Sequence, residues 1–131
     1  DYLETRPEFD MKKLAYEGLS WGAWWGTIVP AIEKRIKAVV LIGVGTDPTL
    51  PQEYSTINFA PRITVPVLIQ DGRYDFLTSI ENELRPLLRL LGTPEKDKEL
   101  KLYDSGHAVW LRMEQTRDEI DFLDKVCGPG K

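Results

Sequence analysis

The sequence predicts an α/β protein of three layers, with helices on both faces of a parallel sheet of about four strands. Three observations carry that expectation. The runs Ala38-Val39-Val40-Leu41-Ile42 and Val65-Pro66-Val67-Leu68-Ile69-Gln70 read as strands buried on both faces. Short apolar strands alternate with segments of helical period along the chain, the pattern of parallel crossover connections. The 131 residues are 42% hydrophobic and 29% charged, and a chain of this size can bury roughly two-thirds of its unfolded surface around one core.

Each element follows from local chemistry. Lys13 to Gly18 is short, partly apolar and stopped by glycine, a strand. Trp21 to about Lys34 has helical composition, with Pro30 placed to kink it or end it early. Ala38–Ile42 is the first fully buried strand and ends at Gly43. Thr46 to Pro66, with prolines at 48, 51 and 61, predicts irregular structure with one short helical turn. Val65–Gln70 follows as a strand that tolerates Pro66 at its start. Ser79 to Leu91 places apolar residues at 80, 84, 87, 88 and 91 on one helical face, with Pro86 in its middle and Gly92 and Pro94 as its stop. Leu100–Tyr103 alternates as the last strand, and Trp110 to Val126 is an amphipathic helix. Neither an internal repeat nor a low-complexity linker divides residues 1–131, which read as one domain.

Composition narrows the function. Lys and Arg total 17 against 21 Asp and Glu, a net charge of −4 with no basic block, so neither nucleic acid nor an anionic membrane surface is an expected partner. No apolar run approaches the ~20 residues of a bilayer span. One Cys makes no internal disulfide, and one Cys with one His falls short of a structural zinc site, so no metal is expected.

Gly18-Leu19-Ser20-Trp21-Gly22 matches G-x-S-x-G. A serine on a sharp strand-to-helix turn projects its hydroxyl when the residues two before and two after lack side chains, and the helix start favours developing negative charge. A serine nucleophile needs a base, and the base needs an orienting acid. His107 is the only histidine, and it falls just past the last predicted strand, where open α/β sheets collect catalytic groups. Asp71, Asp75 and Asp104 are the candidate acids. Asp71 is still at the strand's end and Asp104 is placed to bond its own loop's backbone. Asp75 lies past the Gly72 turn, can reach back over the sheet edge, and is the residue chosen.

The order Ser20, Asp75, His107 is that of the α/β-hydrolases. The stretch Ala15 to Ala23, together with Gly72-Arg73-Tyr74-Asp75 and Gly106-His107, resembles the carboxyl-terminal half of an α/β-hydrolase. The nearest flavour is that of dienelactone-hydrolase-like and acetyl-xylan-esterase-like serine esterases, with Ser20 where dienelactone hydrolase itself has Cys. The resemblance implies half of that fold and a Ser-His-Asp ester hydrolase that needs no cofactor and acts on a small-molecule ester. It assigns the Trp21 N–H as the one oxyanion donor that carries over, since the family's earlier strands and the loop bearing its second donor are not among these residues. A prolyl-oligopeptidase-type peptidase and a non-catalytic assembly module are the alternatives.

The aromatic residues complete the reading. Trp21, Tyr74 and Trp110 are expected to line a substrate pocket, Trp24 and Trp25 to pack, and Glu81, Glu83 and Arg85 to form a solvated helix face. The elbow strand, Lys13 to Leu19, is expected to be a sheet edge with unpaired backbone groups. A homo-oligomer, or a complex with a chain supplying the missing half, would cover it.

Overall fold

Four strands form one sheet in the computed structural model, which describes residues 2–47, 49–109 and 112–129. They are β1 Ala15–Leu19, β2 Ala38–Ile42, β3 Val67–Gly72 and β4 Lys98–Tyr103. The strands lie side by side in chain order, and every adjacent pair is parallel. Every residue of the two central strands is buried, whereas the outer strands β1 and β4 are only partly covered. That is why β2 and β3 read as continuous apolar runs.

Helices α1 Trp21–Trp25, α2 Val29–Ile32, α3 Thr56–Phe59, α4 Arg85–Leu90 and α5 Met113–Cys127 supply the outer layers. Alternation along the strands divides the core in two. Val39, Leu41, Val67 and Ile69 pack with Ala23, Ala31, Leu84 and Leu87 from the α1, α2 and α4 side. Ala38, Val40, Ile42 and Leu68 pack against Phe122 of α5 and Tyr103. Each aliphatic side chain buried this way contributes about 1.5–3 kcal/mol relative to exposure. On the α5 side Gln70, with no exposed surface, donates to the Tyr103 hydroxyl (2.9 Å) and to the Gln115 carbonyl (3.0 Å), and Tyr103 donates to Asp118 (2.8 Å).

The structure moves several expected boundaries. β1 begins at Ala15 because Met11–Lys13 forms a tight turn capped by Asp10, whose carboxylate accepts the Lys12 N–H at 3.0 Å. The helix expected from Trp21 to Lys34 is two short helices, broken at Gly26-Thr27-Ile28 ahead of Pro30. A Cβ on Gly26 would lie 2.4 Å from Leu41 Cδ2, so the backbone here runs close against β2 and the helix ends. Pro30 sits in the first turn of α2, where its missing N–H needs no partner. Pro86 is accommodated in the same way at the start of α4, after a π-helical turn over Ile80–Leu84. β4 begins earlier than expected because Lys98 and Glu99 pair with Val67 and Leu68. Trp110, the expected start of the last helix, lies outside the described residues. No described helix is long and apolar enough to cross a membrane.

Candidate active site

Ser20 occupies the turn between β1 and α1 with φ 51° and ψ −112°, the one non-glycine residue at positive φ among the described residues. Such a conformation costs on the order of 1–3 kcal/mol and persists only where the surroundings hold it. Here the Ser20 N–H donates to the Ile42 carbonyl at 2.7 Å, tying the turn to β2. A Cβ on Gly18 would come within 2.3 Å of the Gly22 carbonyl oxygen, which accounts for the first glycine of the motif. At Gly22 a Cβ meets nothing within 4 Å, so in this chain the second glycine is not a steric requirement and the sequence reading is corrected there.

The other two groups reach Ser20 from the ends of β3 and β4. His107 Nε2 is 2.9 Å from Ser20 Oγ, and His107 Nδ1 is 2.6 Å from Asp75 Oδ2. The β3 and β4 loops are stitched together by Arg73 N–H to the Tyr103 carbonyl (2.8 Å) and Tyr74 N–H to the Ser105 carbonyl (3.0 Å). Gly43, at the end of β2 with φ +63°, leaves room for the imidazole: a Cβ there would be 2.8 Å from His107 Cε1.

Burial works against the charge on Asp75, whose side chain is 1% exposed. Hydrogen bonds from His107 and the Leu77 N–H (2.8 Å to Oδ1) outweigh it and hold the carboxyl below its ordinary pKa. With its proton on Nδ1, His107 donates to Asp75 and presents an Nε2 lone pair to the serine hydroxyl. Trp21 is the first residue of α1, so its N–H has no acceptor within the helix.

A cavity of about 270 Å³ opens beside Ser20 and His107, bounded by Trp21, Trp24, Leu50 and Leu77. Trp21 stacks on Trp24 with ring centroids 5.1 Å apart, and Trp24 meets Trp25 edge-on at 4.9 Å. Trp24, expected only to pack, is therefore also a pocket wall; its position four residues after Ser20, on the same helical face, was the available signal. Tyr74 does not line this cavity, which corrects its expected role. It is exposed and turned to Asp104, whose charge raises its hydroxyl pKa. Glu83 leaves the expected solvated face: its carboxylate lines the cavity and accepts the backbone N–H groups of Thr46 (2.8 Å) and Ser79 (3.2 Å). Trp110 falls outside the described residues.

The all-parallel four-stranded sheet with its helices is that of a partial α/β-hydrolase fold, and solved structures of that fold match this chain. A cold-adapted esterase from an Arctic intertidal metagenomic library, in its zinc-bound structure, matches with a TM-score of 0.71 and 29% identity over 86% of this chain and 48% of that one. The 2,6-dihydroxy-pseudo-oxynicotine hydrolase matches with a TM-score of 0.81 and 18% identity over 97% of this chain and 44% of the other. An acylaminoacyl peptidase of Pyrococcus horikoshii matches with a TM-score of 0.78 and 13% identity, over 99% and 27% respectively. At those identities the last two likenesses speak to the fold alone. The chain spans about half the length of the first two structures and about a quarter of the third. No protein-family model matches the sequence, and comparison with curated proteins returns no match. The chain has the architecture of the carboxyl-terminal half of an α/β-hydrolase.

Proposed function

We propose that this chain bears the catalytic centre of a serine carboxylic-ester hydrolase. The observation that carries the reading is one imidazole in hydrogen-bond reach of both a strained serine, at 2.9 Å, and a buried carboxylate, at 2.6 Å. Ser20 Oγ attacks the ester carbonyl while His107 Nε2 takes its proton. The imidazolium, held by Asp75, returns that proton to the departing alcohol. His107 then takes a proton from water, whose oxygen attacks the acyl-serine, and returns it to Ser20 Oγ as the acid is released. The Trp21 N–H faces the developing oxyanion, and the cavity between Trp24 and Leu77 takes an acyl or alcohol group. These steps require acid, base and nucleophile alone, with a small-molecule ester as substrate.

The test is covalent. A fluorophosphonate ester should label Ser20, Ser20→Ala should abolish the labelling, and His107→Ala should suppress it, because an unassisted serine hydroxyl is a poor nucleophile at neutral pH. Labelling that persists in Ser20→Ala sinks the assignment. Cleavage of a dipeptide amide in preference to a short-chain ester would move the reading to a peptidase of the same fold.

The same reading extends to assembly. β1 is an edge strand, and Leu19 on it and Trp21 and Trp25 on the adjoining α1 are exposed. Its free backbone groups and this apolar surface are satisfied together when a second chain pairs with β1. We propose a second copy of the chain, paired edge to edge about a two-fold axis, as that partner.

A further inference from the structure

Asp71 is a carboxylate with no exposed surface that the triad leaves unassigned. It is the penultimate residue of β3, four residues before Asp75. Its Oδ1 accepts the Gly72 N–H at 2.7 Å, while its Oδ2 is out of water and receives no hydrogen bond from any donor among the described residues. The side chain nevertheless lies beside Asp75: one oxygen of each carboxyl is within 4.8 Å of the other and of a His107 ring nitrogen. Two carboxyl groups can share a hydrogen bond only if one of them carries a proton.

The surroundings decide which. Asp75 is stabilised as an anion by two donors, His107 Nδ1–H and the Leu77 N–H. Asp71 has one donor and deeper burial. The charged groups facing it are acidic, Asp75 from the β3 loop and Glu83 from the π-helical turn, with the His107 imidazole beyond Asp75. From the neighbouring strand β4 it meets Leu102 in register, which does not titrate. The proton therefore belongs on Asp71 Oδ2.

We propose that Asp71 is a positioning residue of this site, a neutral carboxylic acid whose Oδ2–H donates to Asp75 and fixes the carboxylate that orients His107. The role as a positioning residue rests on the triad reading; the proton's location does not. Burial, with the neighbouring Asp75 carboxylate, pushes the Asp71 pKa up to about 8. The donor is thus present at neutral pH and is lost in mildly alkaline solution, where a second anion then stands beside Asp75.

The experiment is a pH titration of aspartate 13Cγ resonances in the wild-type chain, read beside Asp71→Asn, whose amide is neutral and can still donate to Asp75. The Asp71 carboxyl, assigned through its backbone in the wild type, should keep its acid-form shift at pH 7 and titrate in the alkaline range. Fluorophosphonate labelling supplies the second readout: an alkaline decline in the wild type that is absent in Asp71→Asn, with labelling reduced at every pH in Asp71→Leu. A carboxyl resonance titrating in the ordinary aspartate range overturns the proposal, whether or not either variant folds. A protonated Asp71 in a chain whose Ser20 is never labelled instead overturns the triad reading, and the proton assignment stands.

Discussion

Replacing Gly72 by alanine tests whether the contact between the β3 and β4 loops sets the site's geometry. A Cβ at Gly72 would lie 2.1 Å from the Gly106 carbonyl oxygen and 2.3 Å from that of Ser105, against 3.4–4 Å for ordinary contact. The obstacle is backbone, so no side chain can swing aside, and the loop must retreat by roughly 1 Å at a cost of about 1–3 kcal/mol. That loop carries His107. The same displacement takes its 2.6 Å contact with Asp75 and its 2.9 Å contact with Ser20 out of hydrogen-bond range. Misplacement of about 1 Å in a catalytic constellation is worth about 10²-fold in rate. Gly72→Ala should therefore label with fluorophosphonate about 10²-fold more slowly than wild type and unfold at lower urea concentration. Gly22→Ala is the control, because its Cβ meets nothing within 4 Å, and its stability should stay within about 0.5 kcal/mol of wild type. A folded Gly72→Ala chain labelled at the wild-type rate would refute the reasoning.

Three further expectations follow from the same coordinates. The Asp71 pKa is raised from about 4 in an unfolded chain to about 8 in the folded one, so between those values the folded state holds a proton that the unfolded state has lost. Stability should fall as pH rises through that window, by up to about 1.4 kcal/mol per unit. Asp71→Asn should flatten the dependence; parallel urea-stability profiles for the two proteins at pH 5 and 7.5 would contradict it. Tyr103→Phe leaves the buried Gln70 amide and the Asp118 carboxylate each short of a partner, and should cost about 1–3 kcal/mol in urea unfolding, with a loss near zero counting against the network. Sedimentation equilibrium at micromolar concentration should show a dimer, with β1 amides protected from exchange; a folded monomer with those amides equally protected would remove the edge-pairing proposal.

The fold was legible where burial writes directly into sequence. β2 is buried from end to end, and Ala38 to Ile42 marks both its ends correctly. The positions of Ser20, Asp75 and His107 after three different strands were also readable, because turns and strand ends leave a glycine within three residues of each. Depth and tertiary partners were not readable. Gly26 breaks the first helix through its approach to Leu41, a contact between elements. Glu83 sits between Glu81 and Arg85 in sequence, but its hydrogen-bond partner Thr46 is 37 residues away. Asp71 looks like an ordinary strand-end residue until its contact with Asp75 is seen.

Strand order in this sheet equals chain order. Each crossover adds the next strand beside the last, so the sheet can grow in the direction of synthesis without threading one segment between two others. In the proposed triad the nucleophile is delivered with β1 and the acid after β3. The base arrives only when β4 docks. Until that final pairing, the serine has no imidazole within 2.9 Å and is an ordinary alcohol. On the proposed reading, a centre assembled from consecutive strands stays silent until β4 is paired, and nucleophilicity at Ser20 would report that β4 has found its place.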